Sequence, residues 1–456
     1  MIRAVEGKAM RRTTPTVMWK ALAAALLCLL VATPASAATD YFGVGDGHTG
    51  NRTVGSAGTT VNSYAAVTSG LSSGATQVDV SATSSFSAGE LVMIWQAGGL
   101  TPAPMTGDQS TINLTNDRVG RYEFGRIASI SGSNQLTLEH PLQHGYDAAG
   151  TQVVGVPEYN NLTVQSGASI TAKSWDGSSG GIAVLFVRGT LTNNGTIDVT
   201  GDGYRGGSTV DAPTRNGCSG LNVASPDGQE SGEGVALSSF GGTGRGNFAN
   251  GGGGGVCHNS GGGGGANAGI GGKGGYSWDG DGARDVGGYG GAPLNYSLRD
   301  HITPGGGGGA GHGNNNVATD GADGGGAILI RANALAGSGS LVADGATGSQ
   351  SPPGNDAQGG GGAGGSIAVR LVGSASCGTV SAAGGDGIDV PADAHGPGGG
   401  GGGGRVMLQS QSGSCTTDVT AGEAGTQTDP SAKGGDHYGA TPNQSTAMQH
   451  VGETEN

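Results

Sequence analysis

Residues 320–332 read DGADGGGAILIRA, residues 359–371 read GGGGAGGSIAVRL and residues 398–410 read GGGGGGGRVMLQS. In each, a glycine run empties into a short apolar segment, and each begins 39 residues after the one before. Ile328, Ile367 and Val406 keep this interval, as do Leu341, Val380 and Val419, and Ala343, Ala382 and Ala421. A fixed period with apolar positions in phase marks a solenoid, whose units cannot bury their hydrophobic side alone and so stack on their neighbours. The pattern predicts an all-β, glycine-rich, β-helix-like solenoid with coils of 39 residues.

Towards the N-terminus, Gly180 to Val187 reads as a buried strand with Gly195 to Val199 as its companion. Leu162, Val164 and Ile170 form an irregular coil that begins at Asn161. From Ile197 to Leu341 the distance is 144, about 105 residues more than one period, so residues 204–323 are an insertion or a set of degenerate coils. Residues 38–157 lack the long glycine runs and alternate in period two at Thr76 to Val80, Glu90 to Ile94, Gly125 to Ile130 and Gln135 to Leu138. With Phe86 and Gly89 to Val92, these segments resemble the small β-barrel modules that precede β-helices in secreted and phage proteins. The expected organisation is a signal peptide over 1–37, a β module over 38–157, the solenoid over 158–425 and a polar tail over 426–456.

The glycine runs Gly251–Gly255, Gly261–Gly265 and Gly305–Gly309 join Gly359–Gly362 and Gly398–Gly404. Flexible linkers of this composition need not stay in phase with strands, whereas Gly359–Gly362 superposes on Gly398–Gly401 at the 39-residue offset. An ordered role follows. A polyproline-II-like chain has three residues per turn and no internal hydrogen bonds, so each backbone group must find a partner on a neighbour. Poly-Gly phased with short strands resembles the polyglycine-II folds of the glycine-rich domain in the anaplastic lymphoma receptor kinase family and of glycine-rich phage tip adhesins. With the opening residues 39–47, TDYFGVGDG, it also resembles secreted glycine-rich proteins of Gram-negative bacteria, notably myxobacteria. The resemblance spans residues 160–425 and implies recognition or structure rather than chemistry.

Arg11, Arg12 and Lys20 precede the apolar stretch Ala21–Val31 and the small-residue site Ala35-Ser36-Ala37, the layout of an export signal. Leu27 before Cys28 is too large for a lipobox. Cleavage removes five basic groups and one acidic group, taking the formal charge from −14 to −18. That surface disfavours nucleic acid and suits cations, neutral glycans or simple solubility. Glycans or cell-envelope components are the expected partners, with no membrane span in the mature chain and a secreted or outer-cell-surface location. An exported protein meets an oxidising compartment. Coils stacked about 4.8 Å apart bring Cys377 within disulfide reach of Cys415, 38 residues on. Cys218 and Cys257 remain as the second pair.

Candidate ligand residues are Asp393 with His395, Asp436 with His437, and Asp300 with His301, which recur in turns, together with Trp175 and Trp278 in two Trp-Asp-Gly turns suited to stacking on a sugar ring. The same residues also serve as ordinary loop polarity and loop cover. Asp279, Asp281 and Asp285 cluster oxygen ligands for calcium, the one candidate cofactor, but lack the alternation and final glutamate of an EF-hand loop. Asp198, Arg331, Arg370 and Arg405 read as scattered along the strands rather than paired, and no GxSxG, HExxH or P-loop occurs. The reading is a non-catalytic extracellular structural or recognition protein, with an adhesion or matrix role. Its rivals are a polysaccharide-degrading enzyme on a β-helix and an ice- or crystal-surface binder.

Overall fold

The computed structural model describes residues 43–210, 223–225, 227–278, 280, 286–314, 317–348, 356–390, 394–427, 437, 440–441 and 449–451. Strands β1 (Gly50–Val54) and β2 (Thr59–Thr60) open the chain. Next come β3 (Tyr64–Ala66), β4 (Gln77–Asp79), β5 (Leu91–Gln96), β6 (Ile112–Asn113), β7 (Tyr122–Ser131), β8 (Gln135–Leu138) and β9 (Thr151–Val156). Successive coils then contribute β10 (Glu158–Val164) with β11 (Ser169–Thr171), and β12 (Ile182–Asn193) with β13 (Thr196–Asp198). After β14 (Leu294–Asn295) follow β15 (Ala327–Ala336) and β16 (Ser340–Val342), then β17 (Ser366–Leu371), β18 (Ser374–Ala375) and β19 (Thr379–Ser381). The last are β20 (Arg405–Gln409), β21 (Ser412–Gly413), β22 (Thr416–Asp418) and β23 (Gln449–Val451).

Two parallel sheets make the solenoid, one in the order β1-β10-β12-β15-β17-β20-β23 and the other β2-β11-β13-β16-β19-β22. Their facing sides pack Leu162, Leu185, Ile197, Ile328, Ile330, Leu341, Ile367, Val369, Val380, Val406 and Leu408 into one core. Because side chains alternate across a strand, Ala327, Leu329, Ala368 and Met407 point out of the coil. There they meet Met93, Trp95, Val154 and Val156 of the antiparallel sheet in a second core. That antiparallel sheet runs β3-β9-β5-β7-β8-β4 and curls until its edges touch at the Val67–Val80 bridge. It encloses Val78, Val92, Ile94, Ile127 and Leu136.

The stack opens earlier than Asn161, because β1 pairs in parallel with β10 and β2 with β11. The antiparallel sheet is therefore spliced between the first and second coils. At the other end, β23 pairs with β20 inside the segment expected as a polar tail. An open parallel edge presents unpaired backbone groups, and this strand covers them. β12 pairs directly with β15 and β13 with β16, so the residues between leave the β stack and return one rung later.

The 39-residue register holds where Ile328, Ile367 and Val406 pair. It slips by one residue at Ser374↔Ser412 and by another at Thr379↔Thr416. Val380 consequently stands beside Thr417 and not Val419, which still packs against the core. The disulfide Cys377–Cys415 sits inside the slipped corner, with its Cα atoms 4.8 Å apart. Cys257 is also disulfide-bonded, while Cys218 lies outside the described residues.

Glycine runs from the insertion and the repeats pack into one hydrogen-bonded bundle. Amides 305 and 308 donate to the carbonyls of 325 and 322, 306 and 309 to those of 266 and 263, and 307 and 310 to those of 233 and 230. Residues three apart thus address the same neighbour, and the run uses three neighbours in rotation. Gly261 and Gly264 likewise donate to Gly275 and Gly272, and Gly262 and Gly265 to Gln358 and Gly361. A chain of such bonds passes from Gly364 through Gly402, Gly265, Gly361 and Gly399 to Gly262, at 2.9–3.0 Å. A methyl on Gly308 would collide with the Gly360 carbonyl, and one on Gly265 with that of Gly306. No left-handed φ is involved at either position, so close backbone approach alone makes glycine necessary there.

Candidate functional site

Two of the predicted ligand residues, Trp278 and His395, come together at one end of the bundle. The chain turns between Gly251–Gly255 and Gly261–Gly265 through Cys257 and Asn259, both left-handed at φ 58° and 57°. The turn places His258 between the two: its ring centroid is 4.9 Å from that of Trp278 and 6.2 Å from that of His395. The Trp278 amide donates to the His258 carbonyl at 2.7 Å. Asn259 faces the His395 ring at 3.3 Å and donates its backbone amide to His312 Nδ1 at 3.2 Å. Burial pushes His395 down to about 4; the Asp356 carboxylate opposes that shift and His258 reinforces it. Asp356 is itself buried, accepting the amides of Asn314 at 3.1 Å and Val317 at 3.4 Å. The corner therefore combines an indole that is 41% exposed with the His258 ring against it and the His395 ring beyond, the latter facing Asn259.

The other predicted residues separate. Trp175 is no surface platform: it is buried, its Nε1 donates to Glu233 at 3.1 Å, and its ring stands edge-on to Tyr204. His301 is fully buried and its Nε2 lies 3.1 Å from Asp117 O, which with its bridge to Arg121 fastens its loop to the antiparallel sheet, while its Nδ1 lies 3.1 Å from the Asp300 carboxylate without making a hydrogen bond. Asp300 is exposed beside it. His437 Nδ1 lies 3.2 Å from Gly425 O. Asp279, Asp281, Asp285, Asp393 and Asp436 lie outside the described residues.

His437 also lines a groove of 410 Å³ with Asp386, Asp389 and Glu423. Thr347 and Gly348 connect it to a groove of 970 Å³ beside Arg205, Glu230, Asp320 and Asp323. The carboxylates here brace the coils. Asp386 and Asp389 accept the amides of Glu423 and Thr426, each at 2.7 Å, and Asp323 accepts that of Gly206 at 2.6 Å. Burial raises the Asp323 carboxyl against the pull of the Gly206 amide and the Arg205 charge.

Two groupings escaped the sequence reading. Asp46, His48 and Glu158 converge, their donor atoms all within 4.8 Å. Arg126 already grips Glu158 with bonds of 2.8 and 2.9 Å, and Asp46 engages His48 Nδ1 at 2.6 Å, so the group closes as a charge network. Glu158 lies more than a hundred residues from Asp46, a proximity no local pattern reveals. The second grouping corrects the reading of scattered arginines. Arg331 and Arg370 are Cα partners on adjacent rungs, and their 39-residue separation was the signal available in the sequence. Arg405 points elsewhere, over the Tyr296 ring at 4.2 Å.

No family model matches the chain, and no curated relative matches it. Among solved structures it is similar to the Gp54 tailspike of Acinetobacter baumannii bacteriophage AP22, solved in complex with A. baumannii capsular saccharide. Identity there is 10% and the TM-score 0.19, over 82% of this chain and 59% of the tailspike. It is also similar to the tailspike gp49 from Pseudomonas phage LKA1, with 12% identity and TM-score 0.17, over 85% of this chain and 67% of that one. The Pseudomonas phage phi297 tailspike gp61 gives 11% and 0.17, over 81% and 62%. Among the described residues, no helix is long and apolar enough to cross a membrane.

Proposed function

We propose that this protein is an extracellular or cell-surface scaffold with a structural and recognition role, and that it is not a catalyst. The observation that carries the reading is the threefold donor pattern of the glycine runs, in which residues 305–310 satisfy their amides on three separate neighbours. That pattern is the one a polyglycine-II bundle requires. Such a bundle spends backbone entropy of about 1–2 kcal/mol per residue to become rigid, a cost that suits a protein whose task is to hold a surface in place. The N-terminal sequence, which reads as an export signal, supports a location outside the cell. Trp278, exposed and backed by His258, supplies a face for stacking on a neutral sugar.

The test joins rigidity to chemistry. Amides 261–265 and 305–310 should resist hydrogen exchange as strongly as those of β15 and β17. A panel of polysaccharides incubated with the full-length protein should be retained without new reducing ends or unsaturated products. Exchange of the bundle amides at loop rates would overturn the scaffold reading, and cleavage products would overturn the non-catalytic one.

A further inference from the structure

Three metal-ligating side chains converge where the first rung of the stack begins. Asp46 and His48 sit on the loop that leads into β1, and Glu158 opens β10, the strand with which β1 pairs. Gly45 and Gly47 take left-handed φ of 85° and 78°, and a methyl on Gly45 would strike the Glu158 side chain, so the loop folds directly onto that carboxylate. The Asp46 amide donates to Glu158 Oε1 at 3.0 Å, and the Thr49 amide donates to the Glu158 carbonyl at 3.0 Å. His48 Nδ1 consequently stands between two carboxylates, 2.6 Å from Asp46 Oδ1 and 3.2 Å from Glu158 Oε2. Around this point the charges do not balance. Glu90 is close enough to feel His48, and Glu139 close enough to feel Arg126. Asp46, Glu90, Glu139 and Glu158 thus face two guanidinium groups, Arg126 on Glu158 and Arg188 on the Asp46 carbonyl at 3.3 Å. With the imidazole neutral, four negative charges less two positive ones leave an excess of two, the charge that a divalent cation carries.

We infer that Asp46, His48 and Glu158 bind a divalent transition-metal ion of the zinc class, which fastens the opening loop to the stack. The three donor atoms lie within 4.8 Å of one another, and an ion about 2.0–2.2 Å from each takes the place of the proton between His48 Nδ1 and its carboxylates. That proton leaves to solvent as the metal bonds form, and the imidazole keeps its other proton on Nε2. The imidazole selects the class. Calcium takes oxygen ligands, whereas a nitrogen joined to carboxylates suits zinc. Arg126 holds the carboxylate in place without taking the position: its two bonds use one lone pair of each Glu158 oxygen, and Oε2 has a second lone pair for the ion. Ligating carboxylates are themselves held by hydrogen bonds in this way. The Glu158 side chain forms the buried floor, while those of Asp46 and His48 are 52% and 48% exposed, so an ion enters from solvent past these two. Three protein ligands leave the fourth position of a tetrahedral ion to water.

Untagged full-length protein titrated with zinc chloride at neutral pH, and separately with calcium chloride, tests the site by calorimetry. Zinc should bind, and calcium at the same concentrations should not. His48→Gln should weaken zinc binding by at least about tenfold, as should Asp46→Asn, and His48→Gln should keep the wild-type unfolding midpoint without metal because the side chain is half exposed. Zinc should slow hydrogen exchange of the amides of residues 46–54 and raise the unfolding midpoint of wild type but not of His48→Gln. The site is overturned if wild type takes up no zinc, or if His48→Gln binds zinc as tightly as wild type, which places the ion elsewhere. Calcium bound in preference to zinc overturns the class of ion.

Discussion

Replacing Gly308 by alanine tests whether the glycine runs are packed structure. Gly308 lies in the run 305–310, donates to Ala322 O at 2.8 Å and accepts from the Gly207 amide at 2.9 Å. The new methyl would press on the carbonyl of Gly360 in the neighbouring run. Restoring an ordinary carbon–oxygen separation requires the two runs to part by on the order of 1 Å. A shift of that size strains both Gly308 bonds and the Ala322 to Gly360 bond of 2.9 Å beside them. At about 1 kcal/mol for each net hydrogen bond, the loss is about 3 kcal/mol. Glycine-to-alanine stiffening of the unfolded chain returns about 0.4–1 kcal/mol, leaving a net destabilisation of about 2–3 kcal/mol. Gly413 is the control: a methyl there finds only ordinary contacts, the nearest being Ser410 Oγ at 3.5 Å. Gly413→Ala should therefore be neutral or slightly stabilising. Urea unfolding followed by tryptophan fluorescence gives both values, and hydrogen exchange locates the damage. If Gly308→Ala equals wild type in stability and the amides of 305–310 keep their protection, the runs are not close-packed and the scaffold reasoning fails.

Removing the Cys377–Cys415 bridge by a double serine substitution releases a loop of 38 residues and should cost about 4 kcal/mol in chain entropy; non-reducing peptide mapping confirms the pair, and an unchanged unfolding midpoint refutes the estimate. His395 is protonated more readily in the unfolded chain than at its buried site, where its pKa falls to about 4. Its contribution is intact above about pH 6.5 and is lost as pH falls towards 4, reaching a deficit of about 3 kcal/mol. In His395→Gln that part of the stability-versus-pH slope should flatten, and a slope identical to wild type contradicts the assignment. Glu158→Gln leaves Arg126 without its buried partner and should destabilise by about 3–5 kcal/mol, measured as a shift in the urea midpoint that 1 M salt does not erase.

Much of the solenoid was legible because its inward positions obey one interval: Ile328, Ile367 and Val406 share a core as well as a phase. The strands holding Val78 and Leu136 were legible for a related reason, since each alternates with polar residues across a half-buried sheet. β9 and the first coil were not. All six residues of β9 are buried, which removes the alternation, and the partner of β1 lies beyond the whole antiparallel sheet. The two single-residue slips near Ser412 and Thr416 were hidden because Val419 preserves the interval in sequence while the chain takes a shorter path around the corner.

The candidate site shows the limit of local pattern more sharply. Trp175-Asp176-Gly177 and Trp278-Asp279-Gly280 are the same tripeptide, so any rule that reads three residues assigns them one role. The fold gives them opposite ones. Trp175 precedes a strand of the stack and is pulled inward, where Glu233 from the insertion accepts its Nε1 proton and Tyr204 meets its edge. Trp278 lies inside the insertion at the end of the bundle, where its ring packs on His258 and stays 41% exposed. An interior made of backbone has no space for an indole. Aromatic side chains of the insertion therefore lie on the outside of the glycine runs: Tyr289, midway along residues 286–291, is half-buried with the Arg245 guanidinium 5.2 Å over its ring, and Trp278 is exposed.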